Sequence, residues 1–307
     1  MVKRLAMFPG QGSQSVGMAR ELLQEFPKTK LVFEEVEDTT KIEVLKMCLE
    51  GPEDMLKLTQ FQQPCILSVS IAKWQVLKEE SGFTPEAFAG HSLGEYSALV
   101  AAEKLRLDHA ARLVYERGRF MQRAVPEGTG AMAAVLKGDP TTLSSLCEDV
   151  SKDLGETVQV ANFNRPSQQI VSGTAHAVKT LIDKLALLKV RAVMLPVSAP
   201  FHCSLMKSAA ETMKNKIEET NFSEPKPSII SNVTAKDESD VNRIKPLLID
   251  QITSRVRWRE SVDYMIKQGV NDFLEIGPGK VLSGLVKKID RGVKISNINS
   301  LEDIKND

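Results

Sequence analysis

The stretch from Ala87 to Ala102 limits what this chain can fold into more than any other segment. Ala87-Phe88-Ala89-Gly90 reads as a short buried strand and Leu93 to Ala102 as a helix, with Gly90-His91-Ser92-Leu93-Gly94 between them. A strand that enters a helix within so few residues needs a tight turn. Glycines two places either side of a serine let the backbone fold that closely and push the hydroxyl outward. The same turn sets Ser92 at a helix N-terminus, where unpaired N–H groups favour developing negative charge. Five residues of this pattern alone fit a plain glycine-rich turn equally well. The strand before and the helix after favour an exposed nucleophile.

The other elements agree with a parallel sheet covered by helices. Lys3 to Phe8 reads as a buried strand cut by Pro9-Gly10, and Val16 to Phe26 as a helix. A longer helix begins near Pro64 and ends about Glu80, and Leu107 to Ala124 is strongly helical. The middle has its own rhythm. Gly130–Leu136 is a strand and Pro140–Val150 a helix. Val158–Phe163 and Gln169–Ser172 are strands, Ala175–Lys189 is a helix and Ala192–Val197 a strand. This β-α-β-β-α-β order is ferredoxin-like and is bounded by the turn residues Pro126-Glu127-Gly128 and Ser198-Ala199-Pro200. Alternation then resumes with a strand at Ser228–Ile230 and helices at Val241–Ile252 and Trp258–Lys267. A strand at Asn271–Ile276 and a helix from Lys280 follow, and a charged tail after Ser300 is expected to fray. The expected architecture is α/β, with a discontinuous large subdomain over residues 1–126 and 198–307 and an inserted small one over 127–197.

Bulk properties remove several function classes. The 307 residues, 42% of them hydrophobic, suffice for a sizeable core, and 40 basic against 40 acidic residues give no basic excess for nucleic acid. Cys48, Cys65, Cys147 and Cys203 are scattered without a Cys-x-x-Cys pair, so neither a metal site nor a disulfide framework is expected, and a reducing compartment is. The apolar run Leu5–Phe8 is too short for a signal peptide or membrane span. A cytoplasmic protein is expected, or an organellar one if a presequence has been removed.

A serine at its ordinary pKa needs a base. His91 adjoins Ser92 and points elsewhere; His109 and His176 begin polar helical stretches. His202, in the apolar loop Val197-Ser198-Ala199-Pro200-Phe201-His202-Cys203, is the leading candidate. Cys203 beside it is disfavoured as a nucleophile, because sequence neighbours rarely face each other. No acidic third member stands out, and a carbonyl or amide could orient the imidazole instead. The loop Phe8-Pro9-Gly10-Gln11-Gly12-Ser13-Gln14 lacks the spacing of a dinucleotide loop, since its third glycine is Gly17. It either closes the first strand–helix unit or donates an N–H to an oxyanion, beside the N–H of Leu93. Arg117 shares a helical stripe with Val114 and Met121; an internal carboxylate or a substrate carboxylate would serve it equally well.

Five blocks in order resemble the malonyl-CoA:acyl-carrier-protein transacylases of type II fatty acid synthesis. They are Phe8–Gln14, Gly90–Tyr96, Arg117–Met121, Pro200-Phe201-His202 and Glu275-Ile276-Gly277-Pro278-Gly279, and the resemblance spans nearly the whole chain. It implies an α/β-hydrolase-like large subdomain with a ferredoxin-like insertion, Ser92 as nucleophile and His202 as base. It further implies an oxyanion hole from the N–H groups of Gln11 and Leu93, and histidine orientation at Gln251. Substrate contacts fall at Arg117, Phe201, Met121 and Asn162. Arg117 would hold the malonyl carboxylate in a bidentate pair, and Phe201 leaves little room for an α-methyl group. The implied reaction passes a malonyl group from malonyl-CoA to the pantetheine thiol of acyl carrier protein, with no metal or cofactor and no nucleic-acid or membrane partner, in a monomer. An esterase or thioesterase on the same turn is the alternative. The chain departs from the family at Glu103, where glycine is usual, and at Ser167 and Gln169, where glycine and an aliphatic residue are usual.

Overall fold

The computed structural model describes residues 3–197, 199–224 and 227–298. Met1-Val2, Ser198 and the charged tail after Ser300 lie outside them. Ten strands are described: β1 (Lys3–Phe8), β2 (Ala87–Gly90), β3 (Gly130–Leu136), β4 (Val158–Arg165), β5 (Gln168–Thr174), β6 (Arg191–Met194), β7 (Ser228–Ile230), β8 (Asp237–Glu238), β9 (Val270–Ile276) and β10 (Lys294–Ile298). They form two sheets in a mixed α/β fold. The six-stranded sheet runs β10-β9-β1-β2-β7-β8 and the four-stranded one β4-β5-β3-β6. The first is parallel except at its β7–β8 edge. The second is antiparallel throughout.

Alternation along β1 explains its central place. Ala6 and Phe8 enter one apolar cluster and Leu5 and Met7 the other, so both faces are covered. The larger cluster holds the helices Thr59–Ser81, Gly94–Ala101 and Leu107–Arg123; the smaller holds Trp258 and Leu282. The small sheet is two-faced as well. Ala131, Ala133 and Val135 of β3 pack under its own helices, Pro140–Leu154 and Ala175–Leu187, whereas Met132 and Ala134 join the main core. Phe163 N–H donates to Val256 O at 2.9 Å and Val256 N–H to Ala161 O at 2.8 Å, which ties β4 to the loop following Gln251.

Several expected boundaries move. The helix expected over Val16–Phe26 is confined to Arg20–Glu25, because Gly17 adopts φ +88° and donates to Cys48 O. The long helix begins at Thr59, with Pro64 inside it. A proline near a helix start costs one hydrogen bond, and here the preceding turn carries the buried Gln62 and Gln63 toward the site. The last strand of the small sheet is Arg191–Met194, short of the expected Val197. Pro196, without an N–H, cannot extend the ladder. Helices at Lys30–Thr40, Val44–Glu50 and Glu53–Lys57, and strand β10, were not expected. Glu103 takes φ 59°, the left-handed geometry that explains the usual glycine. Among the described residues no helix is long and apolar enough to cross a membrane.

Candidate active site

The serine turn is as tight as its glycines require. A Cβ on Gly90 would lie 1.9 Å from Gly94 C, and one on Gly94 would lie 2.0 Å from Phe8 O. Ser92 takes φ 53°, a strained position that must be held by its surroundings. Asn232, just beyond β7, does the holding. Its Oδ1 accepts from Ser92 N–H at 2.6 Å and its Nδ2 donates to Gly90 O at 2.6 Å, so one amide spans both sides of the strained residue.

Ser92 Oγ lies 2.8 Å from His202 Nε2, and His202 Nδ1 lies 2.8 Å from the main-chain O of Gln251. A carbonyl only accepts, so Nδ1 carries the proton and Nε2 is free to take one from the hydroxyl. Burial, then the nearby Arg117 charge, push the imidazole down to about 3, so it rests neutral. His202 itself sits at φ 59°. Cys203 turns away, its thiol donating to Pro200 O at 3.1 Å, and burial raises its pKa.

Arg117 is fully buried. Its Nη2 donates to Ser92 Oγ at 3.0 Å and to Gln251 Oε1 at 2.9 Å, and its Nη1 to Gln63 Oε1 at 2.9 Å. Its Nε and the Nε2 of Gln63 have no acceptor among the described residues. Among the described residues no carboxylate pairs with it directly. The Gln251 side chain instead bridges: its Nε2 donates to Ser92 O at 3.0 Å and to Glu95 Oε2 at 2.8 Å. Glu95 Oε2 also accepts from Asn232 N–H at 3.1 Å. Desolvation raises the Glu95 carboxyl to about 7.

The entry loop lies against this turn, with Gly10 so close that a Cβ there would meet His91 O at 2.3 Å. The Gln11 side chain donates to Gln62 Oε1 at 2.5 Å, while the N–H groups of Gln11 and Leu93 donate to no described residue. Met121 and Phe201 are buried in the main core. Asn162 is buried in β4 at a break in its register, opposite Val256. His91 points away from Ser92, bonding Asn164 Oδ1 at 2.9 Å and leaning on Trp258. His176 meets Glu156 at 2.9 Å, remote from these groups. The described residues contain no group of three or more metal-ligating side chains.

Four contributors were missed from sequence: Gln63, Glu95, Asn232 and Asn164. Glu95 had a visible signal, an acid within the otherwise apolar helix Gly94–Ala101. Asn232 follows a strand of the parallel sheet, where ligand-facing residues concentrate. Gln63 had only its place before Pro64.

A serine hydroxyl, a neutral imidazole fixed by a carbonyl, free N–H donors and a cation touching the hydroxyl suit acyl transfer to and from an oxygen nucleophile. The model of the acyl transferase domain matches residues 7–304. The chain belongs to that family, and within it to the malonyl CoA-acyl carrier protein transacylases. It is 45% identical over 307 residues to such an enzyme from Bacillus subtilis, covering 99% of this chain and 96% of the relative. It is 40% identical over 295 residues to the one from Escherichia coli K12, covering 95% and 94%. Among solved structures, the Coxiella burnetii transacylase aligns at TM-score 0.97 and 37% identity over 99% of this chain and 96% of that one. A malonyl-transacylase solved in complex with its type II PKS acyl-carrier protein aligns at TM-score 0.96 and 39% identity over 99% and 98%.

Proposed function

We propose that this chain transfers a malonyl group from malonyl-CoA to the phosphopantetheine thiol of acyl carrier protein, through an ester on Ser92. One observation carries the choice of acyl group. The buried guanidinium of Arg117 touches Ser92 Oγ, and two buried donors there, Arg117 Nε and Gln63 Nε2, have no acceptor among the described residues. A ligand whose carbonyl carbon meets Oγ and whose own carboxylate meets those donors has one short spacer between the two groups. Malonyl has a single methylene there.

In the proposed sequence His202 takes the Ser92 proton as Oγ attacks the thioester. The oxyanion is held by the N–H groups of Gln11 and Leu93. The tetrahedral intermediate collapses, His202 protonates the departing CoA sulfur, and the malonyl ester remains. The carrier thiol then gives its proton to His202 and attacks the ester, and Ser92 Oγ leaves with that proton. A malonyl carboxylate on Arg117 offsets the charge that holds the His202 pKa down, which makes the base stronger once substrate is bound. Phe201 and Met121 would limit the acyl pocket, and Asn162 would line the pantetheine path. The two sheets correspond, in this reading, to an α/β-hydrolase-like subdomain over 1–126 and 198–307 and a ferredoxin-like one over 127–197. The family's substrates supply CoA and carrier; we propose no cofactor, and a cytoplasmic monomer.

The test incubates the chain with malonyl-CoA and phosphopantetheinylated acyl carrier protein and follows both by mass spectrometry. Malonyl should appear on Ser92 and then on the carrier. Free malonate forming faster than malonyl-carrier would establish the esterase or thioesterase alternative instead.

A further inference from the structure

The mechanism above gives no part to Glu95, although this buried carboxyl is joined through Gln251 to Arg117. Glu95 lies in the helix that starts at the serine turn and is 3% exposed. Its Oε2 accepts from Gln251 Nε2, and Gln251 Oε1 accepts from Arg117 Nη2. One primary amide thus joins a carboxyl to the guanidinium that touches the nucleophile. The connection is directional. An oxygen that also accepts Asn232 N–H can only receive the amide's N–H, so it turns the amide oxygen toward Arg117. Gln251 also meets His202 through its main chain, so the same residue links the carboxyl to both reacting groups.

Among the described residues, Arg117 is the charged group whose field acts on Glu95, and Tyr96, next along the helix, has its phenol raised to about 12 and stays neutral. His202 is neutral as well. A buried cation thus has one buried acid as its counter-ion, reached through an amide. A substrate carboxylate arriving at Arg117 makes two acids for one cation, and in a water-poor site the two cannot both stay charged cheaply.

We propose that Glu95 sets the preference for a carboxylated acyl group over an uncharged one, acting through Gln251 on Arg117 and taking up a proton from solvent when the substrate carboxylate binds. Glu95 is a positioning residue here, because it touches Arg117 and His202 only through Gln251. The proposal rests on the malonyl reading above. With Glu95 protonated, Arg117 has no competing anion and holds the acyl carboxylate firmly. With Glu95 ionised, the same hold is weaker. The carboxyl lies at about 7, so the switch falls in the neutral range.

The experiment measures kcat/KM for malonyl-CoA and for acetyl-CoA, with the same carrier, from pH 6 to 8.5. Their ratio cancels the titration of CoA, of the carrier thiol and of His202. In the wild type the ratio should fall about tenfold as pH rises through 7, as expected for repulsion between two acids flanking one cation. In Glu95→Gln, whose amide oxygen can keep both hydrogen bonds while carrying no charge, the ratio should be flat with pH and no lower than the wild type's acid-side value. A purely structural Glu95 would lower both rates together and leave the wild-type ratio flat, which overturns the proposal. A sloping ratio that persists in Glu95→Gln overturns it too. Should that variant fail to fold, proton uptake by the wild type at pH 7.5 decides. Acylation by malonyl-CoA should bind a fraction of a proton more than acylation by acetyl-CoA, and equal uptake refutes the idea. Absence of any malonyl transfer by the wild type would instead refute the function on which the proposal rests.

Discussion

Asn232→Ala is expected to damage both stability and acyl transfer, although Asn232 touches no substrate in the proposed mechanism. Ser92 sits at φ 53°, and non-glycine residues held there store about 1–3 kcal/mol of strain. The Asn232 amide offsets this strain by pairing Ser92 N–H and Gly90 O, both at 2.6 Å. Truncation to alanine leaves those two backbone groups buried without partners, at roughly 1–3 kcal/mol each. Partial entry of water would recover some of that, so a net loss of about 2–4 kcal/mol is expected in urea unfolding. The rate should suffer separately. Ser92 Oγ needs its 2.8 Å approach to His202 Nε2, and a relaxed turn that moves Oγ by about 1 Å costs on the order of a hundredfold. The assay follows radiolabelled ester formed from malonyl-CoA in single turnovers. Asn232→Asp sharpens the comparison: its second oxygen would face Gly90 O, acceptor against acceptor, so it should recover little of the loss. Unfolding within 0.5 kcal/mol of wild type and acylation within about twofold in Asn232→Ala would show that the turn is held without Asn232.

Other expectations follow from the same geometry. Ser92→Ala should accumulate no labelled ester, and ester at normal levels would remove Ser92 from its proposed role. Arg117→Ala should lose malonyl transfer far more than acetyl transfer; an equal fall in both would make Arg117 structural. Gln251→Ala keeps the main-chain oxygen that holds His202 but removes the bridge to Arg117, so malonyl kcat/KM should drop about tenfold or more, and acetyl kcat/KM less. Glu95 has a stability signature as well. Its folded carboxyl lies near 7 against an ordinary 4.5, so its raised pKa costs no stability below about pH 4, costs progressively more from there to about pH 7, and a constant amount above that. The stability gap in favour of Glu95→Gln should widen by up to about 3 kcal/mol between pH 4 and pH 8, and a constant gap in pH-dependent urea melts would contradict this sign. Gln169, fully buried in β5, has an Oε1 without a partner among the described residues, and its Nε2 makes only a long 3.4 Å bond to Pro166 O. Gln169→Met should therefore gain about 1 kcal/mol, read as a rise in Tm.

Much of this protein was legible from local pattern. The run Ala87–Gly94 announced a strand, a strained turn and a helix, because glycine spacing and apolar periodicity act over a few residues. The β-α-β-β-α-β rhythm of residues 130–194 was legible for the same reason. Ser92 and His202 were also found as residue types in chemically suggestive settings. Local pattern failed where a distant contact set the outcome. Gly17, bonded to Cys48 O, delayed the start of the expected helix to Arg20. Pro64, which looked like a helix start, lies inside a helix that begins at Thr59. The partner of Arg117 could not be chosen from sequence, which left an internal or a substrate carboxylate equally open. Only the folded chain shows the answer on its protein side: Gln63, Gln251 and, beyond the amide, Glu95, drawn from segments up to 188 positions apart in the chain. Likewise the orienting group for His202 is a main-chain carbonyl, which has no sequence signature. Sequence alone determined which residues could do the chemistry, because side-chain type and local spacing are written in it. The charge balance among them was decided by tertiary structure, because burial and hydrogen-bond direction exist only once distant segments are packed together.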